Sequence, residues 1–213
     1  MKMKRTKVLM CSLIMVMALV VQVCPVEAST IAPPRAWCGK DAAAYAKKYA
    51  KNYNQNYHAW SSDCTNFASQ CLAAGGKYMT GYTKPKKGGK VITTSSDWYY
   101  HSGGAKNNYS CSTSWIRCSG SHAFANYWYS YKVGTFSKLA NVRKNVSVGD
   151  VIQITLKNGT LKHSIIVSKK KQDGSEIYCA SHTSDYAADS LAAINKRATK
   201  SWGKVTYTVF HFK

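Results

Sequence analysis

The chain has 213 residues and carries 30 Lys and Arg against nine Asp and Glu, so its formal net charge at pH 7 is +21. This length is enough for one domain with a buried core. The lysines are scattered and accompany no nucleic-acid-binding motif, which argues against a protein that binds nucleic acid specifically.

The first 28 residues predict a signal peptide. The basic segment MKMKRTK precedes the apolar segment VLMCSLIMVMALVVQV, and Val26-Glu27-Ala28 is a small-x-small cleavage site. We therefore expect a secreted protein, extracellular or associated with the cell wall, and no membrane span once residues 1–28 are removed. Uncleaved membrane retention is the alternative. The expected organisation is a signal peptide at 1–28, a linker at 29–40 and one domain at 41–213.

The mature chain stays strongly basic. Removal of residues 1–28 takes away four cations and one anion and leaves a net charge of +18. Outside a cell, such a cation is attracted to anionic wall polymers, anionic glycans or membrane surfaces. The alternative is that the charge serves solubility alone.

The first half of the mature chain predicts helices. Residues 41–54 place Ala42, Tyr45, Tyr49 and Tyr53 on one side of a helix, a spacing typical of core residues. A second helix is expected from Cys64 to about Ala73, with Ser62 or Asp63 as the N-cap and Gly75-Gly76 at its end.

The middle of the chain has little periodicity. Residues 75–120 are rich in Gly, Lys, Ser and Thr, which predicts a long excursion of the chain in the form of an irregular loop. Its aromatic residues Trp98, Tyr99 and Trp115 are expected either to wall a substrate cleft or to fill the core beneath the loop. Residues 121–131 predict another helix.

From Val146 onward the hydrophobic period becomes two, which predicts strands. We expect a hairpin of strands 151–155 and 163–168 joined by a turn at Asn158-Gly159. Further strands are expected at 176–181 and 205–212. Together the pattern predicts an α+β fold with N-terminal helices packed on a C-terminal antiparallel sheet.

Cys64 and His163 are the candidate nucleophile and base. A thiol attacks an amide carbonyl only as the thiolate, and free amide groups in the first turn of a helix favour that anion. A histidine that opens a strand can accept the proton and return it to the leaving amine. The alternative for Cys64 is a buried structural thiol.

His182 is the candidate third catalytic residue. Strand alternation puts Tyr178, Ala180 and His182 on one face, and if His163 shares that face, His182 can bond its imidazole and fix the tautomer. A satisfied core histidine is the alternative, and Asp185 is the reserve candidate for the same role.

Six cysteines remain after the signal peptide. If Cys64 is reactive, at least one of the other five is unpaired, and Cys71 is the first choice because two helical turns separate it from Cys64. Cys111 with Cys118 and Cys38 with Cys179 are possible disulfides, but the connectivity stays open.

These segments carry a resemblance to a known family. DCTNFASQCLAAGG, WYY with a later SW, VGDVI, HSIIVS and ASHTSD follow the order and spacing of the bacterial putative amidase domain family, a secreted branch of the papain-like fold. That family resembles the NlpC and CHAP cell-wall peptidases. The resemblance spans about residues 41–212. It implies Cys64 as nucleophile, His163 as base, a polar third residue at His182, and Asn66 and Gln70 as braces of the cysteine helix.

The expected function is therefore cysteine-dependent hydrolysis of an amide bond in peptidoglycan or a related wall peptide, by a monomer that needs no cofactor or metal. Three alternatives stay open: an acyltransferase or transpeptidase with the same Cys-His couple, a non-catalytic cationic wall-binding protein, and a zinc site formed by Cys64, His163 and His182.

Overall fold

The computed structural model describes residues 36–213. The predicted signal peptide at 1–28 and the first part of the predicted linker lie outside the described residues. No helix within residues 36–213 is both long enough and apolar enough to span a bilayer.

Two helices open the described chain and pack against each other: α1 (Gly39–Tyr49) and α2 (Cys64–Ala74). The start and end of α2 agree with the prediction, with Gly75 as its C-cap. Helix α1 is shorter than the predicted 41–54, because the chain leaves the helix after Tyr49 to reach the cysteine helix. Its buried face consists of Ala42, Ala43 and Ala46, with Tyr45 and Tyr49 partly buried beside them.

The expected excursion at 75–120 contains a small sheet instead. Its elements are β1 (Lys86–Lys87), β2 (Lys90–Ile92), β3 (Tyr100–Ala105), β4 (Asn108–Ser112) and the short helix α3 (Thr113–Ile116). Strand β4 pairs with the other three strands, parallel to β2 and antiparallel to β1 and β3. The side chains of Trp98, Tyr99 and Trp115 are completely buried. They fill the core and do not wall a cleft.

The helix predicted at 121–131 is broken into a short α-helix and a 3₁₀ turn. The elements that lead to the main sheet are α4 (Phe124–Tyr127), the 3₁₀ turn Tyr129–Tyr131, β5 (Lys132–Phe136) and α5 (Leu139–Lys144).

The main sheet has six strands in the order β5-β10-β6-β7-β8-β9, and all neighbouring strands are antiparallel. The remaining elements are β6 (Val151–Leu156), β7 (Leu161–Lys170), β8 (Ile177–Ser181), β9 (Tyr186–Ser190), α6 (Leu191–Trp202) and β10 (Val205–Phe210). The turn between β6 and β7 lies where the sequence predicts it, with Gly159 at a φ of 84° that favours glycine.

Helices cover both faces of this sheet. On the face of α1 and α2, Phe67 packs in one core with Val151, Ile166 and Phe210. On the other face, Ile154 and Ile165 pack with residues of α5 and α6 in a second core. The α+β prediction is confirmed, but the second helical layer adds to the expected arrangement of N-terminal helices on one sheet.

Candidate active site

Cys64 is the first residue of α2 and lies where this helix packs on β7. Its Sγ is 3.9 Å from Thr65 Oγ1, which in turn is 2.9 Å from Ser164 Oγ on β7. The Cys64 side chain is only 6% exposed. The thiol is therefore held between the start of a helix and the sheet beneath it.

The surroundings of Cys64 act on its pKa in opposite directions. Burial raises the pKa of the thiol above its ordinary value, and this effect outweighs the others. The backbone N–H of Ser164, the hydroxyl of Thr65 and the backbone N–H of Thr65 each lower the pKa, because they stabilise the anion on sulfur. Cys64 is thus a neutral thiol at pH 7, with donors already placed around the sulfur.

A cavity of about 500 Å³ opens at Cys64. This volume suits a short peptide segment. Its lining contains the cations Arg117 and Lys162 and no Asp or Glu. We refer to it as the Cys64 cavity, and its lining residues are Trp60, Ser61, Ser62, Cys64, Thr65, Val91, Ile116, Arg117, Cys118, Ser119 and Lys162.

A second thiol, Cys118, lines the same cavity, although the sequence indicated it only as a possible disulfide partner of Cys111. Ser164 Oγ donates a hydrogen bond to Cys118 Sγ over 3.5 Å. Burial and the neighbouring Cys64 raise the pKa of Cys118 to about 12. Its position depends on the path of the chain after β4, which the sequence pattern did not predict.

The six described cysteines are all free thiols. The possible disulfides Cys111–Cys118 and Cys38–Cys179 are not formed. Cys71 is unpaired, as the helical spacing predicts, and lies completely buried in the core under α2.

His163 lies on the opposite face of the sheet from Cys64. Its Nε2 is 3.1 Å from Ser181 Oγ, and its ring borders a small cavity lined by residues of the second core, including Ile154 and Ile194. Burial lowers the pKa of this imidazole to about 4. Between Cys64 and His163 there is no hydrogen bond, and at pH 7 both groups are neutral.

His163 faces away because it alternates regularly with Ile165, which belongs to the second core. In the pairing of β6 with β7, Leu161 is opposite Thr155 and His163 is opposite Ile154, so Lys162 is an extra residue. Leu161 shares a face with Thr155, on the side of α2, and regular alternation would put His163 there too. The bulge at Lys162 separates Leu161 from the regular segment that begins at His163, so Leu161 and His163 lie on opposite faces.

His182 lies on the α2 side of the sheet and is held on every side. Its Nδ1 is 2.5 Å from Asp63 Oδ2, and its Nε2–H donates to the Tyr49 carbonyl over 2.9 Å. The ring is stacked between Tyr53 and Phe67, with centroid distances of 3.8 and 3.9 Å. The expected bond from His182 to the His163 imidazole is wrong, because His163 faces the other way and Ser181 takes that place.

Asp63 is the N-cap of α2, but its side chain makes no capping bond. Its Oδ1 accepts hydrogen bonds from Trp60 N and Asn66 Nδ2, and its other oxygen faces His182. The carboxylate therefore joins the loop before α2, the helix itself and the turn after β8. This brace holds the residue next to Cys64 in place.

The other residues named from the sequence lie around this brace. Asn66 Oδ1 accepts from Trp115 Nε1 over 2.8 Å, and Gln70 Oε1 accepts from Tyr45 over 2.8 Å, so both tie α2 to its surroundings. Asp185, the reserve candidate, bonds the exposed Tyr53 hydroxyl and does not contact His163. Within residues 36–213, no cluster of three His, Cys, Asp or Glu side chains is placed to hold a metal ion.

The comparisons with known proteins agree with the sequence resemblance. A family model described as "Putative amidase domain" matches residues 38–207, which is most of the chain. Neither the curated proteins nor the solved structures contain a match. The chain therefore belongs to the putative amidase domain family, and with it to the amidase-type hydrolases.

Proposed function

We propose that this protein is a secreted, papain-like cysteine amidase that hydrolyses an amide bond of peptidoglycan or of a related wall peptide, with Cys64 as nucleophile. The observation that carries the proposal is the position of Cys64. Its sulfur lies at the first turn of a helix, beside the backbone N–H groups of Thr65 and Ser164, and borders a cavity of peptide size.

In the proposed reaction, the Cys64 thiolate attacks the amide carbonyl carbon and forms a C–S bond. The C–N bond then breaks, the amine leaves with a proton, and water hydrolyses the thioester to release the acid and restore the thiol. The Cys64 backbone N–H supplies one donor to the oxyanion, a contribution of roughly 3 kcal/mol to the transition state.

His163 is the proposed general base, and it must reach the α2 face of the sheet to act. Moving the extra residue of the bulge from Lys162 to Ser164 gives regular alternation from Leu161 and turns His163 towards Cys64. This change breaks the contact between His163 and Ser181 and the one between Ser164 and Thr65. Bound substrate in the Cys64 cavity would have to offset that loss.

His182 is proposed as a positioning residue. Both of its ring nitrogens are already bonded and both of its ring faces are covered, so it has no free nitrogen to accept a proton from Cys64. Through Asp63 it fixes the start of α2, which sets the direction of the thiol. The sequence predicted that His182 orients the base His163. In this proposal His182 instead orients helix α2, which carries Cys64.

Charge supports an anionic wall substrate. Arg117 and Lys162 are the charged residues of the Cys64 cavity lining. The expected +18 of the mature chain would add general attraction to anionic wall polymers.

The test is mass spectrometry of muropeptides released from purified sacculi. We expect a defined amide to be cut by the wild-type protein and by Cys118→Ala, which removes the other thiol of the cavity, and not by Cys64→Ala. Equal release by Cys64→Ala would overturn the proposal. If wall binding persists but no bond is cut by any form, the protein is a wall-binding protein, and transfer to an added amine in preference to water would make it an acyltransferase.

A further inference from the structure

Two further cavities, of about 380 and 640 Å³, follow the Cys64 cavity in a row along the same face of the sheet. The Cys64 cavity shares Ser119 with the middle one, which shares Gly120, Asn126 and Leu161 with the far one. A chain bound at Cys64 thus has room to continue towards β5 and β10.

The far cavity is cationic, and we call it the lysine groove. Its lining contains Lys132, Lys157 and Lys204 and no Asp or Glu. The ion pairs found within residues 36–213 involve other cations, so no carboxylate of that part of the chain forms an ion pair with these three lysines. Tyr129, whose side chain is 71% exposed, adds an aromatic surface to this groove. Three exposed like charges beside one cavity favour an anionic ligand.

The floor of the lysine groove carries hydroxyl groups. Thr208 Oγ1 lies 2.9 Å from Thr135 Oγ1 and 3.0 Å from Thr155 Oγ1, and a hydroxyl can rotate to donate to a bound oxygen. Thr155 donates to the Gln153 carbonyl, and Gln153 Nε2 donates to Ser164 Oγ beside the Cys64 site. A row of polar side chains on the sheet therefore runs from the lysine groove to the Cys64 site.

We propose that the lysine groove binds the carboxylate-bearing part of the same peptide whose amide bond reacts at Cys64. This inference rests on the proposed function. A peptide fits better than a phosphate polymer, because the groove is linked to the Cys64 cavity through shared lining residues and combines its lysines with apolar residues such as Leu161 and Phe210. Carboxylate side chains spaced along a peptide match separate lysines with apolar surface between them.

The experiment measures peptide binding to a Cys64→Ala protein by fluorescence anisotropy at about 0.1 M salt. The probes are a labelled Ala-Glu-Glu-Glu peptide and a matched Ala-Gln-Gln-Gln peptide. The groove variant combines Lys132→Gln, Lys157→Gln and Lys204→Gln. The control removes the same charge elsewhere with Lys51→Gln, Lys196→Gln and Lys200→Gln, at exposed lysines that line none of these cavities.

We expect the groove variant to bind the acidic peptide about tenfold more weakly than the control variant, because each exposed charge pair contributes modestly. The neutral peptide should not distinguish the two variants. Equal loss of affinity for the acidic peptide in both variants would overturn the proposal in favour of general charge attraction. No loss of affinity in either variant would also overturn it. If the groove variant loses only binding to a glycerol phosphate polymer, the groove serves wall polymer instead. The assay measures binding to a Cys64→Ala protein and requires no turnover. It therefore tests the lysine groove even if the protein proves not to be a hydrolase.

Discussion

The two faces of the sheet at the start of β7 differ sharply, although adjacent residues of one strand form them. On the α2 face, Ser164 belongs to a polar network with Thr65 and Gln153 that reaches the sulfur of Cys64. On the α6 face, His163 borders a cavity whose lining combines apolar residues with Ser184, Arg197 and Ser201, and its ring bonds to Ser181. The regular pairing of residues 163–166 with β6 decides which of the two environments each side chain enters.

This difference shows that sequence spacing alone does not create a catalytic couple. Burial raises the pKa of Cys64 and lowers the pKa of His163 to about 4, so each group is held in its neutral form. An ion pair between them would require His163 to exchange its present surroundings for the polar network of the other face. We therefore regard the structure as a resting state of the proposed enzyme.

The largest expected effect on activity is that of replacing Cys64, and it should distinguish Cys64 from Cys118, the other thiol of the cavity. Cys64→Ala should lower kcat/KM on a wall-peptide substrate by about 10³-fold or more, because it removes the atom that forms the thioester. Cys118→Ala, a matched change in the same cavity, should alter it only a few-fold. A reversed order in steady-state assays would move the nucleophile to Cys118.

Substitution of His182 should mainly lower stability, whereas substitution of His163 should mainly lower activity. His182→Ala removes a buried hydrogen-bond partner of Asp63, so we expect about 1–3 kcal/mol lower free energy of unfolding in urea titrations. His163→Gln should keep most of the stability and lose most of the activity, since it removes the proposed base. If His163→Gln retains turnover, the base has been misassigned.

The buried neutral His163 makes stability depend on pH. Its folded pKa of about 4 lies below the unfolded value of 6.5, so the unfolded chain binds more protons between these limits. Its contribution to the free energy of unfolding is fully present above pH 6.5 and falls by about 3 kcal/mol as the pH drops to 4. The matched measurement on His163→Gln should show a flatter profile over this window, and parallel profiles would contradict the assigned burial effect.

The smallest expected effect concerns Ser181, which holds His163 on the α6 face. Ser181→Ala removes that contact and favours the movement of His163 towards Cys64, so we expect kcat to stay within a few-fold of wild type or to rise. A loss on the order of 10²-fold would mean that Ser181 orients the base in its present position. Far-ultraviolet circular dichroism of the variant would establish that it is folded.

The parts of the fold that local patterns encode could be predicted from the sequence. The ends of α2 follow from Asp63, Cys64 and the glycine after the helix, and the β6–β7 hairpin follows from alternation and the turn at Gly159. Helix α6 and strand β9 were missed between the last two predicted strands, and β5 was missed before them. The small sheet at 86–112 was missed because β1, β2 and β3 are short and largely exposed, while β4 is buried without alternation, so none of them has a clear hydrophobic period.

The candidate site was predictable only in part. Cys64 was found because its position at a helix start is local information. The face of His163 follows from its alternation with Ile165, and because Ile165 and Ile166 are both apolar, the sequence does not reveal which of them faces α2. The partner of His182 is Asp63, which precedes it by more than a hundred residues, so only the packed fold brings the two together.

The most direct test of Cys64 as the nucleophile is to trap the covalent intermediate. The protein is mixed with an activated wall-peptide ester, quenched in acid within milliseconds and analysed by peptide mass spectrometry. We predict an acyl group on Cys64, formed more slowly in His163→Gln and absent in Cys64→Ala. An acyl group on Cys118, or turnover by Cys64→Ala with no acylated cysteine, would contradict the assignment of Cys64 as nucleophile.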